Sequence, residues 1–323
     1  MANKPLTEIT IKNFKCFTDL HLEGFERVNL IGGKNNVGKT AFLEAVELNV
    51  ISLKPSGKAY AIYQVLTRRQ RNIEEFKDIE FDFINNIQES VEILTEPDNI
   101  FSINDTTLSY LKNILTEDHY KNLKSNTRNY SQNKYFPPRV NFIKATITNE
   151  FEMSEFYGVL VDLNKESFLN ESLQSFDDNI IALKQRFTNE NIVFKVQIKN
   201  QERAVLLSSL GDGVNRFIAI LCAIWASQDG FLFIDEIENG IHYTNYPKLW
   251  NIIFQASKDA NCQLFITTHS KECIQAFNDA NTADEGAYFE FYKNLKKNKI
   301  TAQKLDNQQL NYALSHDGRV RGE

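Results

Sequence analysis

Cysteine is scarce in this chain: Cys16, Cys222, Cys262 and Cys273 are the whole complement. No two of them stand as C-x-x-C or at metal-site spacing, which argues against a disulfide scaffold and a thiolate-bound metal. Cys222 and Cys262 sit inside apolar runs and read as buried free thiols of a reducing compartment. A basic excess is also missing. Lys and Arg total 36 against 42 Asp and Glu, leaving a net charge of −6, so no overall field draws the chain to nucleic acid and only a local patch could do so. No uncharged apolar stretch approaches the roughly 20 residues that span a bilayer, and no secretory leader opens the chain; a cytoplasmic protein with no membrane contact is expected. Neither an internal repeat nor a sustained heptad is present, which excludes a solenoid and a long coiled-coil arm. What remains, 42% hydrophobic and 24% charged residues over 323 positions, is the balance of a globular protein long enough for a substantial core.

Two glycines frame the most informative stretch. Gly33-Lys34-Asn35-Asn36-Val37-Gly38-Lys39-Thr40 reads G-x-x-x-x-G-K-[ST], a phosphate loop. An apolar run, Val28 to Ile31, precedes it and a helix-like segment, Ala41 to Leu48, comes after it, so the strand-loop-helix context is present. Gly33 and Gly38 permit a turn tight enough to aim successive backbone N–H groups at phosphate oxygens, and the N-terminus of the next helix faces the same anion. The nucleotide-binding candidates are therefore Gly33, Asn35, Asn36, Gly38, Lys39 and Thr40. Lys39 supplies a point charge between β- and γ-phosphates, and the Thr40 hydroxyl is a Mg²⁺ ligand.

A second run, Phe231-Leu232-Phe233-Ile234, ends in Asp235-Glu236. Continuous apolarity marks a strand buried on both faces, and ligands gather beyond the carboxyl ends of such strands. Asp235 is the candidate Mg²⁺ ligand, and Glu236 the candidate that orients or deprotonates the attacking water. A third run, Cys262 to Thr267, exits through Thr268-His269-Ser270; His269 is the candidate sensor of γ-phosphate or water.

The chain opens with two short alternating stretches, Leu6 to Phe17 and Asp19 to Leu22, expected as antiparallel strands. Residues 55–138 are expected to be an inserted β and helical element, and 151–190 a helical lobe, within a single domain spanning 1–323. Lys121 to Lys144 carries six basic residues and no acidic one, with Tyr130, Tyr135, Phe136 and Phe142 interleaved. Such a stretch suits nucleic acid and equally suits a solvated surface insertion.

Together with Ile9 to Lys15, Leu210 to Arg216 and Asp235 to His242, these motifs resemble the ABC-type AAA ATPases related to RecF and SMC heads and to the ATPase half of overcoming-lysogenization-defect proteins. The resemblance implies an α/β ABC-type P-loop fold with a mixed central sheet, an N-terminal antiparallel β-subdomain and a helical insertion or lobe. It also implies an ATPase using ATP and Mg²⁺ that dimerises, or assembles further, with each nucleotide capped by the partner copy's signature segment, here Gly211, Asp212 and Gly213. Where that signature usually carries Ser this chain has Gly211, with Ser209 nearby. Arg216 suits either an added charge at the site or a structural role. Glu238 to His242 matches a dimer-facing loop, and Gln64 is the candidate Mg²⁺-sensing glutamine. No attached nuclease domain is expected, so the resemblance suggests a switch that controls a separately encoded nuclease or toxin in anti-phage defence. The alternative is a RecF-like DNA-binding repair or recombination ATPase.

Overall fold

The computed structural model describes residues 5–52, 58, 61–62, 64–66, 68, 89–96, 99–103, 139–146, 148–187 and 192–316. Most of the 55–138 insertion, including the basic stretch from Lys121 to Pro138, lies outside them. In chain order the elements are β1 (Glu8–Phe14), β2 (Phe17–Glu23), β3 (Val28–Gly33), α1 (Lys39–Ile51), β4 (Val91–Glu96), β5 (Asn99–Ile103) and β6 (Val140–Ile143). Next come α2 (Glu150–Asp162), α3 (Glu166–Phe176), β7 (Ile180–Phe187), β8 (Ile192–Ile198), β9 (Val205–Leu206), α4 (Asp212–Ala226) and β10 (Phe231–Ile234). The last are α5 (Tyr246–Asp259), β11 (Gln263–Thr267), α6 (Lys271–Ala280), β12 (Gly286–Asn294), β13 (Lys299–Leu305) and α7 (Asn307–Ser315). No helix among the described residues is long and apolar enough to cross a membrane. The architecture is mixed α/β, as expected.

Contacts divide the chain into two compact units, one of Met1–Phe25, Lys34–Val140 and Glu290–Lys304, the other of Glu26–Gly33, Asn141–Phe289 and Leu305–Glu323. In the first, β1 and β2 form the expected antiparallel hairpin, Ile9 facing Leu22 and Ile11 facing Leu20, inside a sheet of order β2-β1-β4-β5. The apolar face of that alternation is buried. Helix α1 is buried almost all round, and its core is aromatic: the Phe42 ring lies 6.1 Å from Phe25 and 5.2 Å from Phe291. A helix so enclosed must satisfy its own polar residues, since an unpaired buried group costs free energy. Lys15 Nζ meets Glu44 at 2.6 Å. The Arg68 guanidinium donates to both oxygens of Glu47, its Nη1 at 2.6 Å. Asn49 donates to the Ile93 carbonyl at 2.8 Å and accepts the Thr95 hydroxyl at 2.9 Å, tying α1 to β4.

The second unit is built on parallel strands. β11 pairs with β3, Thr267 opposite Ile31, and β10 pairs with β11, Ile234 opposite Ile266, in a six-stranded sheet of order β13-β12-β3-β11-β10-β6. On one face the rings of Phe142, Phe233 and Phe265 stack across three neighbouring strands at 6.1 and 5.8 Å. α4 is apolar on nearly every side and buried accordingly; Phe217 on it stacks on Phe176 of α3 at 4.2 Å. The helical segment expected over 151–190 stops at Phe176, and Ile180–Phe187 is strand β7 of an antiparallel β7-β8-β9 sheet. A bulge between Ile180 and Ala182 spaces the buried residues Ile180 and Leu183 three apart, and that interval imitates a helical period. Cys222, Cys262 and Cys273 are buried free thiols pushed up in pKa by burial, while Cys16 is exposed.

Burial raises the Glu47 carboxyl and Arg68 opposes that shift. Arg68→Ala therefore strands a buried carboxylate and should lower the unfolding free energy by about 3–5 kcal/mol at neutral pH. A folded-state pKa lifted above the unfolded value favours the proton-bound fold, so the deficit should shrink as pH falls through the folded-state pKa. Urea unfolding of the variant beside the parent across mildly acid to neutral pH checks both parts; an equal deficit at every pH would overturn the second.

Candidate functional site

β3 ends at Gly33, and the chain continues directly into the phosphate loop. Gly33, Asn36 and Gly38 adopt positive φ of 129°, 63° and 85°, the backbone reversals that turn successive N–H groups to one side. A Cβ on Gly38 would lie 2.6 Å from Cys16 Sγ and 2.8 Å from the Phe17 ring, so only glycine fits there. Gly38 is also the N-cap of α1 and brings no side-chain acceptor to the helix end, which leaves the helix dipole to whatever anion the loop holds. Asn35 and Asn36 are exposed and Thr40 half-buried. Lys39 is buried, its Nζ donating to the Lys34 carbonyl at 2.7 Å so that the ammonium is folded back over the loop. Loop, helix end and ammonium together fit a phosphate. Gln64 is helical and half-buried, one turn before the Arg68 that is paired to Glu47 of α1.

In the second unit the sheet brings Asp235, Glu236 and His269 together. Thr267, the last residue of β11, donates its hydroxyl to Asp235 Oδ1 at 2.6 Å and accepts the Glu236 backbone N–H at 2.8 Å. Glu236 sits at φ 51°, a left-handed conformation that costs a non-glycine residue on the order of 1 kcal/mol. Neighbours hold it there. Besides Thr267, the Arg216 guanidinium donates to the carbonyls of Asp235 at 2.7 Å and Glu236 at 3.2 Å, and to those of Lys144 and Thr146. Burial pulls Arg216 down to about 10, opposed by Asp235, Glu238 and Glu236, and at that value it stays charged at neutral pH. Asn239 donates to Glu236 Oε2 at 2.7 Å and to the Ala145 carbonyl at 3.1 Å. The Glu236 side chain nevertheless remains 36% exposed, with His269 Nδ1 3.9 Å from its Oε1.

Gly211, Asp212 and Gly213 open α4, with Gly211 at φ 85° as N-cap and Asp212 in the first turn. Gly211 and Asp212 are exposed. The segment touches the loop after β10: a Cβ on Gly213 would stand 2.6 Å from the Gly240 carbonyl oxygen, and one on Gly240 3.0 Å from Asp212 Cβ. Ser209 and His242 are exposed, the His242 ring lying 4.5 Å from Tyr243.

Two residues that shape the carboxylate turn received no role from the sequence. Thr267 had a signal, a hydroxyl ending an otherwise apolar strand, whereas Asn239 carries no mark that separates it from any turn asparagine. Arg216, for which the sequence left an added charge or a structural role open, makes its contacts to backbone carbonyls. Among the described residues no group of three or more His, Cys, Asp or Glu side chains could hold a metal by itself; Mg²⁺ characteristically takes one or two carboxylates and completes its shell with phosphates and water.

The family described as "AAA domain, putative AbiEii toxin, Type IV TA system" matches residues 28–274. An ATP/GTP phosphatase of Helicobacter pylori is 27% identical over 325 residues, covering 84% of this chain and 86% of that protein. The DNA double-strand break repair Rad50 ATPase of Archaeoglobus fulgidus is 41% identical over 51 residues, 16% of this chain and 6% of that protein. In fold, the chain is similar to an SMC head crystallised with the C-winged helix domain of ScpA: TM-score 0.50, 10% identity, covering 94% of this chain and 98% of that one.

Thr267→Val keeps the shape of the side chain and removes both of its hydrogen bonds. With the Glu236 N–H left unpaired, the unfolding free energy should fall by about 1–3 kcal/mol, read by chemical denaturation; an unchanged midpoint would mean the turn does not depend on that hydroxyl.

Proposed function

The chain belongs to the AAA domain family and is an ATPase; we propose that it is a switch in which ATP binding and hydrolysis with Mg²⁺ close and reopen a head-to-tail pair of copies. Through that cycle it controls a separately encoded effector, a nuclease or toxin, in bacterial anti-phage defence. The observation that carries the reading is the Asp235–Glu236 turn, delivered by strand β10 at the end where its parallel neighbours β11 and β3 also finish.

In this reading the loop N–H groups of Gly33 to Thr40 cradle the phosphates and Lys39 neutralises their charge. Thr40 and Asp235 would hold Mg²⁺, with Gln64 as a further contact, and the ion would supply charge to offset that developing on the phosphates. Glu236, its backbone pinned and its carboxylate accessible, orients the water or takes its proton, and His269 meets the γ-phosphate or that water. Gly211, Asp212 and Gly213 address the nucleotide of the second copy through the uncapped end of α4. The likeness to the ATP/GTP phosphatase of Helicobacter pylori supports phosphatase chemistry on ATP or GTP, and the family description supports a toxin-linked partner. A second reading, a RecF-like DNA-binding ATPase, draws on the short likeness to Rad50 and on the Lys121 to Lys144 stretch.

Glu236→Gln should retain ATP binding and lower kcat by about 10²–10⁴-fold, while Lys39→Ala should abolish ATP binding; turnover at the parental rate in Glu236→Gln would overturn the role given to Glu236. The same Glu236→Gln protein, purified from its host with ATP and Mg²⁺ and weighed as a complex, tests the wider reading. A dimer carrying a second protein in fixed ratio and no nucleic acid is the expected result. A bare dimer retaining DNA would replace it with the repair reading.

A further inference from the structure

We propose that Glu238 is a positioning residue that fixes the ring of His269. The inference rests on the ATPase reading above, in which His269 meets the γ-phosphate or the attacking water. Asp235, Glu236 and Glu238 lie on one turn, yet Glu236 and Glu238 live in opposite surroundings. Glu236 is 36% exposed and accepts from Asn239, whereas Glu238 is 8% exposed. A carboxylate taken out of water needs compensation. Glu238 has little: its Oε1 accepts the His269 backbone N–H at 2.7 Å, and its Oε2 is buried without a hydrogen-bond partner. The same Oε1 stands 3.2 Å from His269 Nδ1, which is likewise buried and not aligned for a hydrogen bond. Each side chain of a pair already in contact thus carries one buried polar atom, Glu238 Oε2 and His269 Nδ1, without a hydrogen bond. Arg216, Tyr246 and Cys273 are further ionisable groups that sense the Glu238 charge.

The chemistry of the pair decides the ring's state. A carboxylate only accepts, so the nitrogen beside it carries a proton, and in histidine the partner of one nitrogen sets the role of the other. The His269 side chain is 40% exposed although its Nδ1 is buried, so the accessible edge is the one bearing Nε2. Glu238 therefore holds the ring by its inner edge and presents Nε2 to the reactant. A glutamine would serve the His269 backbone N–H through its one carbonyl oxygen but replaces the second acceptor, Oε2, with an NH₂ donor. The variant therefore costs activity only if the ring draws on the charge or the second oxygen of the carboxylate, and this separates a positioning role from a packing role.

The test uses the full chain with Glu238→Gln, Glu238→Ala, His269→Ala and the double Glu238→Gln/His269→Ala variant. Glu238→Gln should keep the parental unfolding midpoint and the KM for ATP while kcat falls about tenfold, the lower end for loss of a residue supporting a ligating or reacting histidine. In the His269→Ala background it should cost nothing more, because the two act as one unit. Long-range ¹H–¹⁵N correlation of the His269 ring supplies a readout that does not depend on turnover: protonation at Nδ1 in the parent, lost or mixed in Glu238→Gln. If Glu238→Ala fails to fold, Glu238→Gln carries the comparison. A Glu238→Gln protein with parental kcat and an unchanged ring spectrum would overturn the proposal, as would an undiminished Glu238→Gln effect in His269→Ala. If instead the parent hydrolyses no ATP and Lys39→Ala changes nothing, the ATPase reading itself fails, and the ring spectrum still decides whether Glu238 holds His269.

Discussion

Parallel pairing of β3, β11 and β10 is the constraint on which the second unit depends. Strands that run the same way and pair in register, Ile31 beside Thr267 and Ile266 beside Ile234, must release their chains at the same edge. Three strand ends are therefore gathered there: Gly33 of β3, Ile234 just before the Asp235–Glu236 turn, and Thr267 two residues before His269. The strands are largely apolar, as a sheet buried on both faces requires; Asn29, the polar residue inside β3, is buried and donates to the Glu26 carbonyl at 2.8 Å and the Leu264 carbonyl at 3.1 Å.

The carboxylate turn is held by groups that do no chemistry themselves. Thr267 spends its hydroxyl on both residues of the Asp235–Glu236 pair, and Arg216 directs its guanidinium to their carbonyls rather than their carboxylates. That choice leaves the carboxylate oxygens for other partners while the buried cation still offsets their charge. The left-handed backbone at Glu236 persists because its N–H, its carbonyl and its side chain are each tied to a different element. Rigid backbone with an accessible side chain is the arrangement a water-positioning group requires.

The polar residues of α1 obey the opposite logic. Glu44, Glu47 and Asn49 lie on a helix enclosed on nearly all sides, and each finds a partner from another part of the first unit. Those pairings tie the helix that comes after the phosphate loop to β4 and to the segment bearing Gln64 and Arg68, so loop and glutamine are placed through a shared scaffold.

Much of this was legible in the chain. The strand-loop-helix at Gly33 to Thr40, the apolar runs ending in Asp235 and Thr267, and the alternation of Ile9 and Ile11 all follow from local rules: glycine for positive φ, continuous apolarity for a strand buried on two faces, period two for a half-buried one. Strand β7 was not legible, because one bulged residue changes the spacing of the buried side chains and a period cannot be read across it. Nor were the contacts of Arg216, Asn239 and Glu238, whose partners lie in segments far along the chain or across a turn whose conformation no local rule prescribes. Sequence by itself determined which phosphate-loop and ionisable residues are present and in which order they are strung, since those are covalent facts. Only the tertiary structure decided that Glu236 is accessible while Glu238 is enclosed beside His269: burial and pairing belong to the packed sheet and its neighbours, and two carboxylates two residues apart are chemically the same until that packing separates them.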